Sequence, residues 1–368
     1  MEVNQILVGD VKDVLADSVP FIDMTITSPP YWRVRNYDSD HVTWNDGWVG
    51  ELGQEPTKEQ YVNHMCDIFD LIHKSTLNQG SCWVNLGDIY FDKQLSQIPS
   101  MFAIEMCKRG WKLRNEIVWH KPHCIPHSTK NRFMVDFEKL FFFVKQDNYF
   151  FNQQFEPIAI SDKERERFDR LMTIPETSEH IKSNMRRNKR SVWSISGSLN
   201  PTIHIATFPV ELIKTPIQAC CPEQVCVNCG APVRRTIERE KYGRIDYESK
   251  FNHHGNSNEK SVLQKRRWLR EVSKQKAVEL YPNNKQLQLD YIRLMHAHGN
   301  VVNEWEVVHK CNCDAKFRKG IVFDPFMGSG TTAIAAMKYN RDWVGVEINP
   351  EYARIASNRI EEYATKNS

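Results

Sequence analysis

Four consecutive residues, Ser28, Pro29, Pro30 and Tyr31, combine a hydroxyl, a carbonyl and an aromatic ring in one turn. Each proline fixes its own φ and restricts the residue before it, so the turn is rigid. A hydroxyl oxygen and a backbone carbonyl can accept the two hydrogens of an exocyclic amino group, which favours a localised lone pair on its nitrogen. An aromatic ring can stack on a base. The turn therefore suits chemistry at a nucleobase amino group, although a turn with only a packing role has the same composition.

This turn follows an apolar run at residues 21–26, which predicts a buried strand. Because proline cannot continue a central strand, the chain must leave the sheet at Pro29. Ligands of open α/β sheets bind at the carboxyl ends of the strands. The predicted position of the turn is therefore that of a binding site.

A glycine-rich turn near the other end of the sequence is the candidate cofactor site. Residues 321–323 predict a strand and residues 333–339 a helix, with a Gly-Ser-Gly turn between them. This order brings backbone N–H groups and a helix N-terminus to a ligand, but the third glycine of a dinucleotide fingerprint is absent. The next predicted strand, residues 343–346, ends in Glu347, where an acidic side chain can accept hydrogen bonds from ribose hydroxyls.

Together these motifs resemble those of the β-class S-adenosylmethionine-dependent DNA amino-methyltransferases. Asp-Pro-Phe-Met-Gly-Ser-Gly-Thr-Thr, at residues 324–332, resembles motif I of the family, and Ser-Pro-Pro-Tyr resembles motif IV. Residues 204–212 resemble motif X, which is expected to pack beside motif I. The resemblance implies S-adenosylmethionine as cofactor, bound by Asp10, Phe208, Asp324, Pro325, Phe326, Gly328, Ser329, Gly330, Thr331, Thr332 and Glu347. For Asp10, an N-cap of a helix at residues 11–16 is an equal alternative, and both roles can coexist.

The resemblance also implies the reaction. The target base leaves the duplex, Ser28, Pro29, Pro30 and Tyr31 hold it, and the amino nitrogen takes the methyl group in line. Tyrosine after the double proline leaves no cysteine nucleophile of the C5-cytosine type. In the family, serine at the first position goes mostly with cytosine N4 and aspartate with adenine N6. N4 of cytosine is therefore favoured, with adenine N6 as the alternative. An RNA or protein-amide methyltransferase and a catalytically silent DNA-binding protein are the other classes left open.

Two clusters of cations are candidate DNA contacts. Arg33 and Arg35 lie among aromatic residues at 33–53, which suits a loop over the target base or the DNA backbone. Ordinary packing of the tryptophans is the alternative. Residues 183–190 concentrate Arg186, Arg187, Lys189 and Arg190, and this cluster is interpreted as a phosphate-binding strip rather than only a solvated face.

Four cysteines predict a structural zinc site. Cys226 and Cys229 form a CxxC pair followed by glycine, and Cys311 and Cys313 form a tighter CxC pair. Free thiols, or replacement of one ligand by Cys220, Cys221 or His309, are the alternatives. The basic helical residues between the pairs, 259–295, are either a second DNA surface or a helical hairpin.

Composition limits the class of protein. The 368 residues carry a net charge of +3, which permits nucleic acid binding without being diagnostic of it. No run is apolar enough to span a bilayer and no leader is recognised, so a cytoplasmic protein without a membrane partner is expected. Ten cysteines in such a chain indicate reduced thiols or metal ligands. Duplex DNA is the expected partner, and a cognate restriction endonuclease is a further one that the resemblance allows.

The predicted fold is α/β: a circularly permuted, seven-stranded-type methyltransferase sheet with inserted recognition and zinc-binding elements. The circular permutation is predicted because the sheet needs a further strand beside residues 343–346, and residues 4–8 can form it. Five segments are predicted: 1–146, catalytic with the target-base motif; 147–200, target recognition; 201–223, motif X; 224–318, zinc-ribbon-like with basic helices; and 319–368, cofactor binding.

Overall fold

The structure is a computed structural model that describes residues 2–37, 41–124, 129–197, 208–241, 259–298 and 301–367. Contacts divide the chain into two compact units. The first, here the sheet unit, comprises Met1–Asn152, Arg190–Arg234 and His309–Ser368. The second, the helical unit, comprises Gln153–Lys189 and Arg235–Val308. Each of the predicted segments 147–200 and 224–318 gives only its middle part to the helical unit, and their functional assignment stays a prediction.

The strands of the described residues alternate with helices along most of the chain. They are β1 (Gln5–Val8), β2 (Ile22–Thr27), β3 (Val42–Thr43), β4 (Val49–Gly50), β5 (Thr76–Leu86), β6 (Tyr90–Phe91), β7 (Gln94–Leu95), β8 (Lys112–His120), β9 (Phe137–Val144), β10 (Phe155–Pro157), β11 (Arg186–Asn188), β12 (Val192–Ser194), β13 (Val225–Cys226), β14 (Arg234–Lys241), β15 (Val302–His309), β16 (Phe317–Arg318), β17 (Ile321–Asp324) and β18 (Asp342–Glu347).

The helices predicted at residues 11–16 and 333–339 are present, and the helical region predicted at 259–295 forms two helices. The described helices are α1 (Val11–Leu15), α2 (Lys58–Ser75), α3 (Ile98–Lys108), α4 (Asp162–Leu171), α5 (Pro175–Asn184), α6 (Val210–Cys220), α7 (Glu259–Leu280), α8 (Lys285–His298), α9 (Thr331–Lys338) and α10 (Pro350–Asn367). Among the helices so described, none is both long and apolar enough to cross a bilayer.

The central sheet of the sheet unit confirms the predicted permutation. Its strand order within the described residues is β1-β18-β17-β2-β5-β9-β8-β12. Gln5 pairs in parallel with Val344, so the first strand of the chain lies beside its last. Phe323 pairs in parallel with Thr25, so the strands that precede motif I and motif IV are neighbours. Parallel neighbours end at one edge, so both turns leave the sheet on the same side.

The other half of the sheet contains an antiparallel hairpin. β9 runs antiparallel to both β5 and β8, with His120 opposite Phe137. β12 then pairs in parallel with β8, so Val192 lies opposite Val118. The described sheet therefore has eight strands rather than seven, because a short strand from the end of the predicted recognition segment extends its edge.

Helices cover the sheet as the apolar pattern requires. Thr57 accepts a hydrogen bond from the Gln60 backbone at 3.2 Å and so caps the N-terminus of α2. On the opposite face, Leu212 and Ile217 of α6 share a core cluster with Ala333 and Ala336 of α9. The helix that follows Pro209 thus packs beside motif I, as expected.

The helical unit has its own core. Leu171 of α4, Ile181 of α5, Val272 of α7 and Leu294 of α8 belong to one buried cluster. Residues 259–298 form the two helices α7 and α8, joined by a turn at residues 281–284, which fits the helical-hairpin alternative.

Candidate active site

One cleft, partly open to solvent, lies where the motif I and motif IV turns meet. Seven of the predicted residues line the cleft: Ser28 and Pro30 of motif IV, Pro325, Phe326 and Gly328 of motif I, and the carboxylates Asp10 and Glu347. The structure therefore brings part of each candidate set, two target-base residues and five cofactor residues, to one cavity, and Pro29, Tyr31, Asp324 and Phe208 are not among the residues that line it.

Glu347 is held at the wall of the cleft by backbone groups. Its Oε2 accepts a hydrogen bond from Gly328 N at 2.8 Å, and its Oε1 accepts one from Asn349 N at 3.0 Å. Burial raises the pKa of the Glu347 carboxyl. Each carboxylate oxygen has a further lone pair, so the side chain can still accept hydrogen bonds from two neighbouring hydroxyls.

Asp324 lies beneath the cleft rather than on its surface. Its Oδ1 accepts from Thr27 Oγ1 and its Oδ2 from Thr332 Oγ1, both at 2.6 Å. Burial raises the pKa of Asp324 to about 6. Asp324, 2% exposed, thus ties the motif I turn to the strand before motif IV.

The remaining motif I residues also support the turn. Gly330 has φ +80°, and a Cβ there would lie 3.2 Å from the Cβ of Ala356, so glycine is required on both counts. Arg359 donates to Ser329 Oγ at 2.6 Å. Thr331 and Thr332 are buried at the start of α9. None of Ser329, Gly330, Thr331 and Thr332 is among the residues that line the cleft in the described structure.

Asp10 and Phe208 have different surroundings. Asp10 accepts a hydrogen bond from Lys12 N at 2.9 Å as the N-cap of α1, and it also lines the cleft, so both predicted positions are compatible. Phe208 is 9% exposed and packs in the core cluster of α6 and α9. Residues 201–207 of the predicted motif X lie outside the described residues.

Several described residues of the aromatic segment at 33–53 line the cleft. Tyr37 and Trp44 line the cleft, and Trp44 stacks on His64 with ring centroids 4.2 Å apart. Arg33 lies over the Phe91 ring at 4.7 Å and donates to the Pro56 carbonyl at 3.0 Å. The packing alternative therefore holds for Trp44, which is 4% exposed. DNA binding by Arg33 and Arg35 stays a prediction.

Ser28 belongs to a partly buried polar network. Ser28 Oγ donates to Tyr31 Oη at 3.2 Å, and Tyr31 Oη donates to Glu138 Oε2 at 2.8 Å. Asn85 Nδ2 donates to Tyr31 Oη at 2.7 Å and to Glu138 Oε2 at 2.6 Å. Lys121 Nζ donates to Glu138 Oε1. Asn85, Lys121 and Glu138 were not predicted, although a polar residue in an apolar strand, such as Asn85 in β5, is a signal for such a role.

The prolines of motif IV are fixed from the other side. Pro29 is buried, and the Pro30 carbonyl accepts a hydrogen bond from Tyr61 Oη at 2.7 Å. The Tyr31 ring lies against Gly87, where a Cβ would come within 2.8 Å of Cε2. Gly87 therefore permits the observed position of the ring.

Two of the predicted phosphate-binding cations, Arg186 and Arg187, lie on a small hairpin of the helical unit. Glu156 pairs with Arg187 across β10 and β11, and its Oε1 is 2.9 Å from Arg187 Nε. The Arg186 guanidinium lies over the Phe155 ring at 4.1 Å. Arg190 belongs to the sheet unit and is exposed. The cations are thus divided between packed and exposed positions.

The four predicted cysteines come together in the sheet unit. The sulfurs of Cys226, Cys229, Cys311 and Cys313 all lie within 4.8 Å of one another, and no other described residue belongs to the group. Four thiolates around zinc at ~2.3 Å give sulfur separations of ~3.8 Å, so the donor set fits zinc. Hydrogen bonds from the backbone of Cys229 and Asn228 lower the pKa of the Cys226 thiol to about 7. Gly230 follows with φ +69°, which favours glycine at this turn.

Comparison with known proteins identifies the family of the chain. Residues 22–227 and 246–358 match the family model described as DNA methylase. The chain is 22% identical to the type II methyltransferase M.SmaI of Serratia marcescens, over 97% of this chain and 90% of the relative. It is 35% identical to the type II methyltransferase M.SfiI of Streptomyces fimbriatus over 39% of this chain, a match that spans only 37% of the relative.

A solved structure shares the fold. The PvuII DNA methyltransferase, described as cytosine-N4-specific, has a TM-score of 0.52 at 14% identity, over 98% of this chain and 91% of that one. The family match covers most of the sequence and includes both motif turns. The chain therefore belongs to the DNA methylase family, the S-adenosylmethionine-dependent methyltransferases that act on amino groups of DNA bases.

Proposed function

We propose that this protein transfers a methyl group from S-adenosylmethionine to N4 of cytosine at a specific sequence of duplex DNA. The observation that carries the proposal is the position of Ser28, which shares one cleft with Gly328 and Glu347. The proposed acceptor for the amino group and the residues proposed to bind the cofactor therefore line the same cleft. Base flipping is part of the proposal, because an amino nitrogen within a duplex cannot reach this cleft.

The residues of the cleft suit an adenosyl cofactor. Glu347 keeps lone pairs for the ribose hydroxyls, and Asp10 supplies a second carboxylate that lines the same cleft. Trp44 and Phe326 add flat apolar surface for the adenine. When bound, S-adenosylmethionine supplies a methyl group that is attached to a positively charged sulfur. The amino nitrogen accepts this methyl group and loses one of its own protons.

Motif IV would hold the target base for this reaction. Because Ser28 donates its proton to Tyr31, the lone pairs of Ser28 Oγ are available for an amino hydrogen. The Pro29 carbonyl would accept the second hydrogen, and Tyr31 would stack on the base. Positioning and electrostatics supply the rate in this scheme, since it needs no covalent intermediate with the enzyme.

The choice of cytosine N4 over adenine N6 rests on Ser28. Serine at the first position of motif IV goes mostly with N4-cytosine specificity in the family, and aspartate with N6-adenine. The PvuII enzyme carries the N4 description, but at 14% identity its likeness concerns the fold alone. Adenine N6 is therefore the outcome that would correct the proposal.

Mass spectrometry of nucleosides tests the function. DNA from cells expressing the protein would be digested and compared with DNA from cells expressing Ser28→Ala. We expect N4-methylcytosine with the wild type and roughly 100-fold less with the variant. N6-methyladenine would keep the reaction class and overturn the base. Neither product, from protein that binds S-adenosylmethionine, would redirect the search to RNA and protein substrates.

We also propose that Cys226, Cys229, Cys311 and Cys313 bind one structural zinc ion. The geometry of the sulfurs supports this, and Cys226 also pairs through its backbone with β16, opposite Phe317. A metal there would join residues 226–229 to residues 311–313. Residues 235–308, which belong to the helical unit, form a long insertion between these two segments in the sequence. Its role would be to hold together the two ends of that insertion.

A cognate restriction endonuclease is a further proposed partner. M.SmaI and M.SfiI are both named type II methyltransferases. An endonuclease that cuts the same sequence would be blocked by the modification. The test is whether DNA modified by this protein resists digestion by an endonuclease encoded beside it, while unmodified DNA is cut.

A further inference from the structure

The network behind Ser28 has a defined direction of hydrogen bonding. Both oxygens of Glu138 are occupied by donors: Oε1 by Lys121, and Oε2 by Tyr31 at 2.8 Å and Asn85 at 2.6 Å. A carboxylate can only accept hydrogen bonds. The Tyr31 proton must therefore point at Glu138, and the Tyr31 oxygen accepts from Asn85 and Ser28.

Two features keep this direction fixed. Burial, together with the neighbouring Glu138, raises the pKa of the Tyr31 phenol, so the phenol keeps its proton. Asn85 is 1% exposed, and its Oδ1 has no donor among the residues that the structure describes. Turning the amide over would put Oδ1 against the Glu138 carboxylate, so the two N–H groups must face the network.

We propose that Glu138 is a positioning residue, which acts through Tyr31 to keep Ser28 Oγ a hydrogen-bond acceptor toward the amino group of the target base. The inference rests on the proposed function, because it concerns how Ser28 meets an amino hydrogen. With its proton directed at Tyr31, Ser28 presents only lone pairs to the cleft. If the hydrogen bond between Ser28 and Tyr31 had the opposite direction, the Ser28 proton could point at the amino group. Two hydrogen-bond donors would then face each other.

Glutamine at position 138 cannot preserve the network. Three donors, Lys121, Tyr31 and Asn85, contact the two oxygens of Glu138, whereas an amide offers one accepting oxygen and an NH2 group that only donates. If the amide nitrogen faced Tyr31, it would donate to the phenol and turn its proton toward Ser28. If it faced Lys121 instead, an amide donor would lie against an ammonium group.

This conflict gives a rescue test. Glu138→Gln should lower kcat for DNA methylation by roughly 10- to 100-fold, while the KM for DNA and the Kd for S-adenosylmethionine change by less than about twofold. Removing the ammonium with Lys121→Met lets the amide nitrogen turn away from Tyr31. The double variant should therefore recover kcat to within about threefold of Lys121→Met alone.

Glu116→Gln is the matched control. Glu116 lies on β8 and pairs with Lys139 of β9 at 2.9 Å, away from Tyr31, so its kcat should equal that of the wild type. Wild-type kcat in Glu138→Gln, or a double variant no faster than Glu138→Gln, would overturn the inference. Methylation by the wild type must be shown first, since its absence would remove the proposed function and this inference together.

A second cycle covers the case in which Glu138→Gln folds poorly. Tyr31→Phe deletes the hydroxyl through which Glu138 acts, so it should also lower kcat at saturating DNA. If Glu138 acts only through Tyr31, adding Glu138→Gln to Tyr31→Phe should cost no more than about twofold in kcat. Independent, multiplicative losses of kcat would show that Glu138 acts by another route.

Discussion

Thr27 Oγ1 donates a 2.6 Å hydrogen bond to Asp324 Oδ1, and this buried contact joins residues 297 positions apart in the chain. Each residue ends its strand, one immediately before motif IV and the other at the start of motif I. The contact therefore fixes the two halves of the proposed site relative to each other. Disrupting this contact should lower the stability of the fold more than it lowers the affinity for any single ligand.

Asp324 should make stability depend on pH. Burial raises its folded-state pKa to about 6, above the value near 4 expected in the unfolded chain. A raised pKa favours the protonated form in the folded state, so this contribution is complete below about pH 4 and is lost as pH rises through 6. The free energy of unfolding of the wild type, relative to Asp324→Asn, should therefore fall by up to about 3 kcal/mol from pH 4 to pH 7.

Urea unfolding of both proteins at several pH values provides the measurement. Asp17→Asn, a change of the same kind at an exposed position, is the control and should show no such trend. A difference between wild type and Asp324→Asn that stays constant with pH would contradict the prediction.

The origin of these contacts explains what the sequence could predict. Motif I, motif IV, the strand at residues 4–8 and the cysteine cluster have local signatures, and the structure brings each of them to the expected neighbours. The sequence predicts a cofactor contact for Asp324 but does not indicate its hydrogen bond with Thr27, because Thr27 lies 297 positions away in the chain and no local pattern connects the two residues. For the same reason, sequence periodicity did not indicate that residues 153–189 and 235–308 share one core.

Trp44 should affect cofactor binding more than DNA binding. Its ring is 4% exposed, lines the cleft and stacks on His64 at 4.2 Å. Trp44→Ala should raise the Kd for S-adenosylmethionine by roughly tenfold, because it removes a large apolar contact and loosens the segment that carries Tyr37. Calorimetric titration measures this Kd, with Trp305→Ala, at an exposed position, as the control.

The opposite result would also be informative. If Trp44→Ala weakened the binding of duplex DNA and left the Kd for S-adenosylmethionine unchanged, the segment at 33–53 would belong to the DNA surface. The arginines and aromatic residues of this segment favour that interpretation, a loop over the target base or the DNA backbone.

Zinc content should follow the four cysteines. We expect one zinc per chain by elemental mass spectrometry, and loss of that metal in Cys311→Ser, because three remaining sulfurs leave the tetrahedron incomplete. Cys107→Ser, at an exposed cysteine outside the cluster, should keep the metal. Zinc retained at full occupancy by Cys311→Ser would exclude the proposed ligand set.

Arg187 and Arg190 should respond differently to loss of charge. The Arg187 side chain pairs with Glu156 at 2.9 Å, so Arg187→Gln should chiefly lower stability. Arg190 is exposed, and a phosphate contact there contributes about 0.9 to the slope of log K against log salt concentration. Arg190→Gln should therefore weaken duplex binding at low salt and reduce that slope by about 0.9, uniformly across sequences.

Fluorescence anisotropy with a labelled duplex, repeated at several salt concentrations, measures both the affinity and the slope. Lys366→Gln is the control, because it removes one charge from the exposed end of α10. Equal slopes for wild type and Arg190→Gln would remove Arg190 from the phosphate-binding strip. A reduced slope in Arg187→Gln as well would instead mean that Arg187 exchanges Glu156 for a phosphate on binding, because a guanidinium released from its carboxylate can pair with the DNA backbone.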